Sequence, residues 1–339
     1  MATIKEIALR AGVSATTVSN VLHGRAARVS LKTRTKVEAF LSEDKFAPNM
    51  GAMILASSNS KIIGVIMFMK PRRNETVLED PFSSSIIGAM EDEIRKCGYF
   101  LMLHTTSDEN EVIRLSKTWK LAGLVLLWVP GDVGCLIRKN MDTPLVFIDS
   151  YFQGSAHSCH NVGLDDFAGG YMIAKHILSM GHRRAVFLAN DYMYRGADRE
   201  RFEGCKRAFE ESKLELTDRD CIVLSKDPAE RLDLYRRISG QPSRYSALLF
   251  SADYYAAEAI SYLADHGTRV PEDVSVTGFD DNLFAMLIRP RLTTIHQDVH
   301  QKGTKAIEML MRLVRAEHIT DTDVRLPVRL VVRDSVARV

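Results

Sequence analysis

Long hydrophobic runs are absent from this chain of 339 residues. Its longest apolar stretches, such as residues 123–130, are too short to cross a bilayer, and Lys5, Glu6 and Arg10 interrupt the N-terminal segment MATIKEIALRAG. A membrane anchor and a secretory signal are thereby excluded there, and a cytoplasmic location is expected. Paired cysteines are also lacking: Cys97, Cys135, Cys159, Cys205 and Cys221 are odd in number and form no C-x-x-C. Free thiols are expected rather than a disulfide framework. Cys159 with His157 and His160 has no distant second pair of ligands, so no metal is assigned there. No P-loop, nucleophile elbow or metal triad accompanies the neighbouring carboxylates Asp280 and Asp281, which therefore do not read as an acid-base pair. The chain reads as a binding protein without a cofactor, not an enzyme. No heptad tail follows the last expected strand, near Val328 to Val332, which favours a dimer over a four-chain bundle.

What is present is the composition of a globular protein, 46% hydrophobic and 26% charged, in a chain long enough for two or three domains. The net charge of +2 is unevenly spread. Residues 1–61 hold nine basic side chains (Lys5, Arg10, Arg25, Arg28, Lys32, Arg34, Lys36, Lys45, Lys61) against four acidic ones (Glu6, Glu38, Glu43, Asp44). A basic headpiece on a mildly acidic body is the distribution expected of a nucleic-acid module joined to a ligand domain.

Thr3 and Glu6 have the spacing of a capping box, so a helix starts at Ile4; Ile7, Ala8 and Ala11 continue its apolar face and Gly12 supplies a sharp turn. Ser14 is a good N-cap for a second helix, Ala15 to Leu22, with Val18, Val21 and Leu22 on one face and Ala15, Thr16, Ser19 and Asn20 on another. Ser30 caps a third helix through Thr33, Val37, Phe40 and Leu41. Three short helices, the first two joined by a tight glycine turn, make a helix-turn-helix. In that geometry the second helix lies in the major groove, which makes Ala15, Thr16 and Asn20 the expected base readers. Thr17, Ser19, Arg28, Lys32 and Arg34 are placed on phosphates, which position the protein without reading sequence.

The runs IKEIALRAGVSATTVSNVLHG, VSLKTRTKVEAFL and FAPNMGAMILASS resemble the headpiece and hinge of the lactose/galactose repressor family almost position by position. The resemblance implies that the segment after Pro48, too short to be a stable helix alone, folds when two protomers pair over DNA. It also implies that Leu55, with Ala52 on the same hinge, enters the minor groove as a wedge whose unstacking cost is offset by the contact that bent DNA permits. Gly51 departs from the family, since glycine inside a helix costs about 0.5 to 1 kcal/mol relative to alanine.

From Lys61 onward apolar runs alternate with stretches of helical length. Residues 62–68, 99–104, 124–128 and 145–148 read as buried strands; 185–189, 247–250 and 274–279 continue the series between helices over 167–180, 199–212 and 253–266. This alternation predicts parallel sheets with right-handed crossovers in two doubly wound lobes, with a ligand held between them at the strand carboxyl ends. GHRRAVFL, RERFEGCKRAF, DVSVTGFDD, PRLTTIHQD and LVVRDSVAR resemble blocks of the same family's core, which is similar in turn to periplasmic sugar-binding proteins. Arg201, Asp253, Asp280 and Phe82 match positions that meet the effector in that family, whereas Ala252 stands where relatives often carry asparagine.

The expected organisation is thus a headpiece over 1–48, a hinge helix and linker over 49–60, and a core over 61–339. Lobe 1 is expected at about 61–163 and 292–322, and lobe 2 at about 164–291 and 323–339. The expected function is a dimeric repressor whose binding to a pseudo-palindromic operator is controlled by a small molecule, with a sugar favoured by analogy. A cytoplasmic sugar-binding protein without specific DNA readout is the alternative, and failure to prefer any DNA sequence would favour it.

Overall fold

In a computed structural model of the chain, the described residues are 3–22, 29–43, 60–70, 77–152, 159–190, 196–239 and 244–339. The chain divides into two compact units, Met1–Ser60 and Lys61–Val339.

The first unit contains α1 (Ile4–Ala11), α2 (Ala15–Leu22) and α3 (Leu31–Glu43). Thr3 and Glu6 form the reciprocal capping box, and Gly12 ends α1 in the left-handed region at φ +67°. Ser14 and Ser30 each accept a hydrogen bond from the amide three residues on, Thr17 at 3.1 Å and Thr33 at 3.3 Å. Ile7, Ala8 and Ala11 meet Val18, Val21 and Val37 in a small apolar centre. Arg10 crosses from α1 to α3, pairing with Glu43 at 2.9 Å and lying 4.7 Å from the Phe40 ring centre.

The second unit is built on two parallel sheets. Lobe 1 carries β1 (Ile62–Phe68), β2 (Phe100–Thr106), β3 (Gly123–Leu127), β4 (Leu145–Ile148), β5 (His160–Leu164) and β11 (Asp323–Leu326), in the order β11-β5-β4-β3-β1-β2. Alternate residues of β1 serve opposite faces. Ile63, Val65 and Met67 pack with α4 (Pro81–Lys96) and α12 (Val299–Val314), while Ile66 and Phe68 join the cluster containing Val112 of α5 (Glu109–Thr118) and Ile137 of α6 (Gly131–Lys139). Lobe 2 carries β6 (Ala185–Ala189), β7 (Cys221–Val223), β8 (Ala247–Phe250) and β9 (Ser275–Thr277), in the order β7-β6-β8-β9. One face is covered by α7 (Asp166–Ser179) and α8 (Ala197–Glu211), the other by α9 (Pro228–Ser239) and α10 (Asp253–Asp265). Beyond a short helix, α11 (Leu283–Leu287), the strands β10 (Thr294–His296) and β12 (Arg329–Val331) pair antiparallel where the chain passes between the lobes.

The expected lobe boundary at 322/323 requires correction. Residues 323–326 pair in parallel with β5, from Asp323 opposite Asn161 to Leu326 opposite Leu164, and so complete the lobe 1 sheet. Only after them does the chain return to lobe 2, where Ser335 accepts from the Val276 amide and the His182 ring bonds the Ala337 carbonyl. DVRL alternates charged and apolar residues and was not anticipated as a strand; its pairing with β5 decides its place.

Helices α7 and α8 cross unusually closely. A Cβ added to Gly204 would stand 2.1 Å from the Phe167 carbonyl oxygen, and one added to Gly170 would stand 1.8 Å from that of Arg201. Glycine at both positions is therefore what lets the α7 and α8 backbones come this close. Gly204→Ala should force the helices apart and lower stability by about 1–3 kcal/mol, the usual cost of overpacking. Urea unfolding monitored by circular dichroism measures this; an unchanged midpoint would contradict the crossing.

Candidate functional site

The outer surface of α2 is the first candidate site. Val18 and Val21 anchor the helix, leaving Ala15 and Thr16 exposed at its N-terminal end and Ser19 and Asn20 half-buried beside them. Thr17 is partly turned inward, with its hydroxyl 2.9 Å from that of Ser14. Lys32 and Arg34 are exposed at the start of α3, and Arg34 pairs with Glu38 at 2.7 Å. Arg28, Ala52 and Leu55 lie outside the described residues.

The second candidate is the cleft at the carboxyl ends of the core strands, where parallel α/β sheets bind ligands. Backbone strain marks it. Among the described residues, seven non-glycine positions have positive φ: Lys120, Lys213 and Ala316 follow helix ends, while Trp128, Asp149, Asp280 and Asp281 follow β3, β4 and β9. Left-handed backbone after a helix is an ordinary cap. At strand ends, with bulky or charged residues, it is held by its surroundings at a cost of about 1–3 kcal/mol each.

A cavity of about 510 Å³ opens here, within the range of small-molecule sites. Its walls come from the start of α4 (Pro81, Phe82, Ser85), from Asp280 to Leu283, and from His296 to Val299. Asp80 caps α4, accepting from the Phe82 and Ser83 amides at 3.3 Å, and Pro81 sits in the first turn, where its missing N–H is no loss. This fixes Phe82 at the cavity wall, its ring centre 6.2 Å from that of Trp128.

Arg201, on α8, is 8% exposed and held from three sides. Its Nε donates to Asp166 at 2.8 Å, its Nη1 donates to the Ser251 carbonyl at 2.6 Å, and its guanidinium stacks 3.6 Å from the Phe279 ring centre. Burial works against its charge, but Asp166, Asp198 and Asp280 outweigh that and raise its pKa. Among the described residues no hydrogen bond uses Nη2, which leaves one arm of the fork for a ligand. Tyr151 donates its hydroxyl to the other Asp166 oxygen. Burial pushes the Asp198 carboxyl, 3.9 Å from Arg201, up to about 6.

Asp280 faces the cavity and accepts from the Gln297 amide through Oδ1; no hydrogen bond reaches its Oδ2 among the described residues. Its neighbour Asp281 is occupied, bridged by His296 at 2.9 Å and by Arg333. Asp253, expected to meet the effector, requires correction. It is 0% exposed, and both oxygens serve the fold: Oδ1 accepts from the Thr294 hydroxyl at 2.6 Å and Oδ2 from the Asn282 amide at 2.9 Å. It braces the strand ends and is sealed from the cleft. Ala252 begins α10 with no side-chain cap.

Sequence reasoning brought Phe82, Arg201 and Asp280 to one cleft but missed the buried charges between them. Asp149 and Lys302 form an ion pair at 2.8 Å, and with Asp166 and Asp198 they make the region beneath the cleft rich in buried carboxylates. Two signals in the sequence point to the pair. Asp149 directly follows the apolar strand Leu145–Ile148, and Lys302 falls on the apolar stripe of α12 with Ala306, Ile307 and Leu310.

Burial pushes the Asp280 carboxyl up to about 7, with Arg201 and Gln297 pulling the other way. An unfolded aspartate titrates near 4, so the folded chain holds this proton more tightly. The corresponding stability is present below pH about 4 and is lost as the pH rises through about 7. Asp280→Asn, which imitates the neutral form, should therefore raise the thermal midpoint more at pH 8 than at pH 5. Equal effects at both would mean that the ionised carboxylate is not a burden on the fold.

Both units have counterparts among known proteins. Residues 3–49 match the family described as bacterial regulatory proteins, lacI family, and residues 174–336 match the periplasmic binding protein-like domain. The HTH-type transcriptional repressor PurR of Haemophilus influenzae (strain PittEE) is 30% identical over 330 residues, which is 95% of this chain and 93% of that protein. Two solved structures share the fold. The lac repressor dimer bound to operator and the anti-inducer ONPF has a TM-score of 0.84 at 23% identity, covering 99% of both chains. The transcriptional regulator CelR–cellobiose complex has a TM-score of 0.73 at 22% identity, covering 99% of this chain and 100% of that one. Since the likeness to a named repressor runs through headpiece and core alike, this chain belongs to the lacI family of bacterial regulatory proteins.

Proposed function

We propose that this DNA-binding regulator is a cytoplasmic homodimeric repressor that reads a pseudo-palindromic operator, one headpiece per half-site, and responds to a sugar held between its core lobes. The observation that carries the DNA half of this reading is the two-sided character of α2. Its inward face is committed to the headpiece centre, while Ala15 and Thr16 stand exposed at the end that meets base edges in helix-turn-helix complexes. Asn20 pairs with adenine and Thr16 with a hydroxyl partner or a thymine methyl. Thr17, Ser19, Arg28, Lys32 and Arg34 hold phosphates, and Ala52 and Leu55 form the minor-groove hinge. The domain limits are 1–48, 49–60 and 61–339, with lobe 1 extended to Leu326. Among the described residues no helix is long and apolar enough to cross a membrane, in keeping with a DNA partner.

The cleft chemistry supports the sugar. A hydroxyl both donates and accepts, and the cavity offers the Asp280 carboxyl with Phe82 as an apolar wall; Arg201, whose charge acts on Asp280, has no hydrogen bond on Nη2 among the described residues. The neighbouring fold bound to cellobiose shows a sugar in another member of the same architecture.

Selection from a random DNA pool at near-physiological salt should enrich a palindrome with a flexible pyrimidine–purine step at its centre, where a hinge wedge costs least. Absence of any enriched sequence would count against sequence readout.

For the cleft, a thermal-shift panel of neutral sugars should give at least one stabilising compound. Arg201→Lys, which keeps a cation beside Asp166 but lacks the planar fork, should abolish that shift and leave operator affinity unchanged. A normal response would remove Arg201 from the site.

A further inference from the structure

Lys302 is wholly buried on α12, yet its chemistry exceeds what a buried cation needs. Its three ammonium protons have three partners: Asp149 Oδ1 at 2.9 Å, Asp149 Oδ2 at 2.8 Å and Gln297 Oε1 at 2.9 Å. The ammonium also lies 5.1 Å from the Phe82 ring centre. Asp149 alone would balance the charge. The bond to Gln297 has a different consequence, which is direction. An ammonium offers donors only, so the Gln297 amide must turn its oxygen toward Lys302. Its nitrogen is thereby committed to Asp280 Oδ1. Glutamine has two nearly isosteric orientations, and Lys302 removes the choice. Asp280 must then use Oδ1 as an acceptor, and whatever it offers a ligand, proton or lone pair, it offers from Oδ2.

We propose that Lys302 is a positioning residue for effector recognition, which acts through the Gln297 amide to pin one oxygen of Asp280 and present the other to the cavity. Asp149 ends β4 and Lys302 belongs to α12, both in lobe 1, whereas Asp280 follows β9 in lobe 2. The relay therefore joins the lobes through Gln297, on the segment where the chain passes between them. Its importance for the effector rests on the reading of the cleft given above, but the relay itself can be tested without any effector.

The experiment is a carboxyl carbon-13 NMR titration of the full chain labelled at aspartate, with the Asp280 signal assigned by its loss in Asp280→Asn. Charges that face Asp280 are Arg201 on α8, Asp80 at the start of α4, Lys302 on α12, Asp253 at the start of α10 and the adjacent Asp281. Lys302→Met frees the amide and should move the Asp280 midpoint upward by about one pH unit, the scale of losing one favourable interaction with a carboxylate. Gln297→Met keeps the Lys302–Asp149 pair whole, cuts the relay, and should also move the midpoint upward. A wild-type midpoint in Gln297→Met overturns the proposal, whether or not Lys302→Met moves it, because Lys302 then acts on Asp280 only through space. If Lys302→Met fails to fold, Gln297→Met decides alone. Failure of the relay leaves the effector reading standing, since that is judged by the sugar response of Arg201→Lys.

Discussion

The core depends on neutralising carboxylates where water is scarce. Asp166 is buried at the start of α7, and an unpaired charge there would be far more costly than one at the surface. Arg201 answers it, and the constraint spreads outward from that pair. The guanidinium reaches Asp166 only because Gly170 and Gly204 let α7 and α8 approach, and it holds its plane because Phe279 lies beneath it. Ser251, at the end of β8, supplies the carbonyl that fixes the second nitrogen. One ion pair thereby registers α7, α8, β8 and the segment after β9, the parts of lobe 2 that face the cleft.

Lobe 1 solves the same problem with Lys302 and Asp149, and the two solutions meet at Asp280, which lies within the field of both cations. A buried ion pair is not in itself strong evidence of stability, because desolvation offsets much of the attraction. What it does supply is orientation. With β10 paired to β12 beside this meeting point, a displacement of one lobe relative to the other must disturb either the paired strands or the charges, which is the arrangement a hinge needs to transmit a ligand's presence.

Much of this was legible in residue patterns. The capping box at Thr3, the limits of α2 and strands 145–148, 185–189 and 247–250 follow directly from local chemistry. The strands not anticipated are those with weak patterns. HNVGL carries Asn161 and a glycine within a buried strand, CIV is only three residues long, and DVRL alternates charge with apolar residues at a sheet edge. Their identity is decided by partners distant in the chain, as in Asn161 donating to Asp323 at 2.8 Å. The site divides in the same way. Arg201 stands in the recognisable block RERFEGCKRAF, but only the folded chain distinguishes Asp253, sealed behind Thr294 and Asn282, from Asp280, which is open to the cavity. Lys302 and Asp149 were missed although each carries a local signal, a charge on the apolar stripe of α12 and a charge closing an apolar strand, because only the fold brings the two together.

The separation of duties on α2 has a consequence for how such a protein can diversify. Val18 and Val21 maintain the headpiece, while Ala15 and Thr16 have no part in its apolar centre. Substitutions at those two positions change what the helix presents without loosening what holds it, since surface changes away from packed or capped groups usually alter stability by no more than about 0.5 kcal/mol. With Ala15 and Thr16 at base edges as proposed, the recognised sequence can therefore drift on an unaltered scaffold.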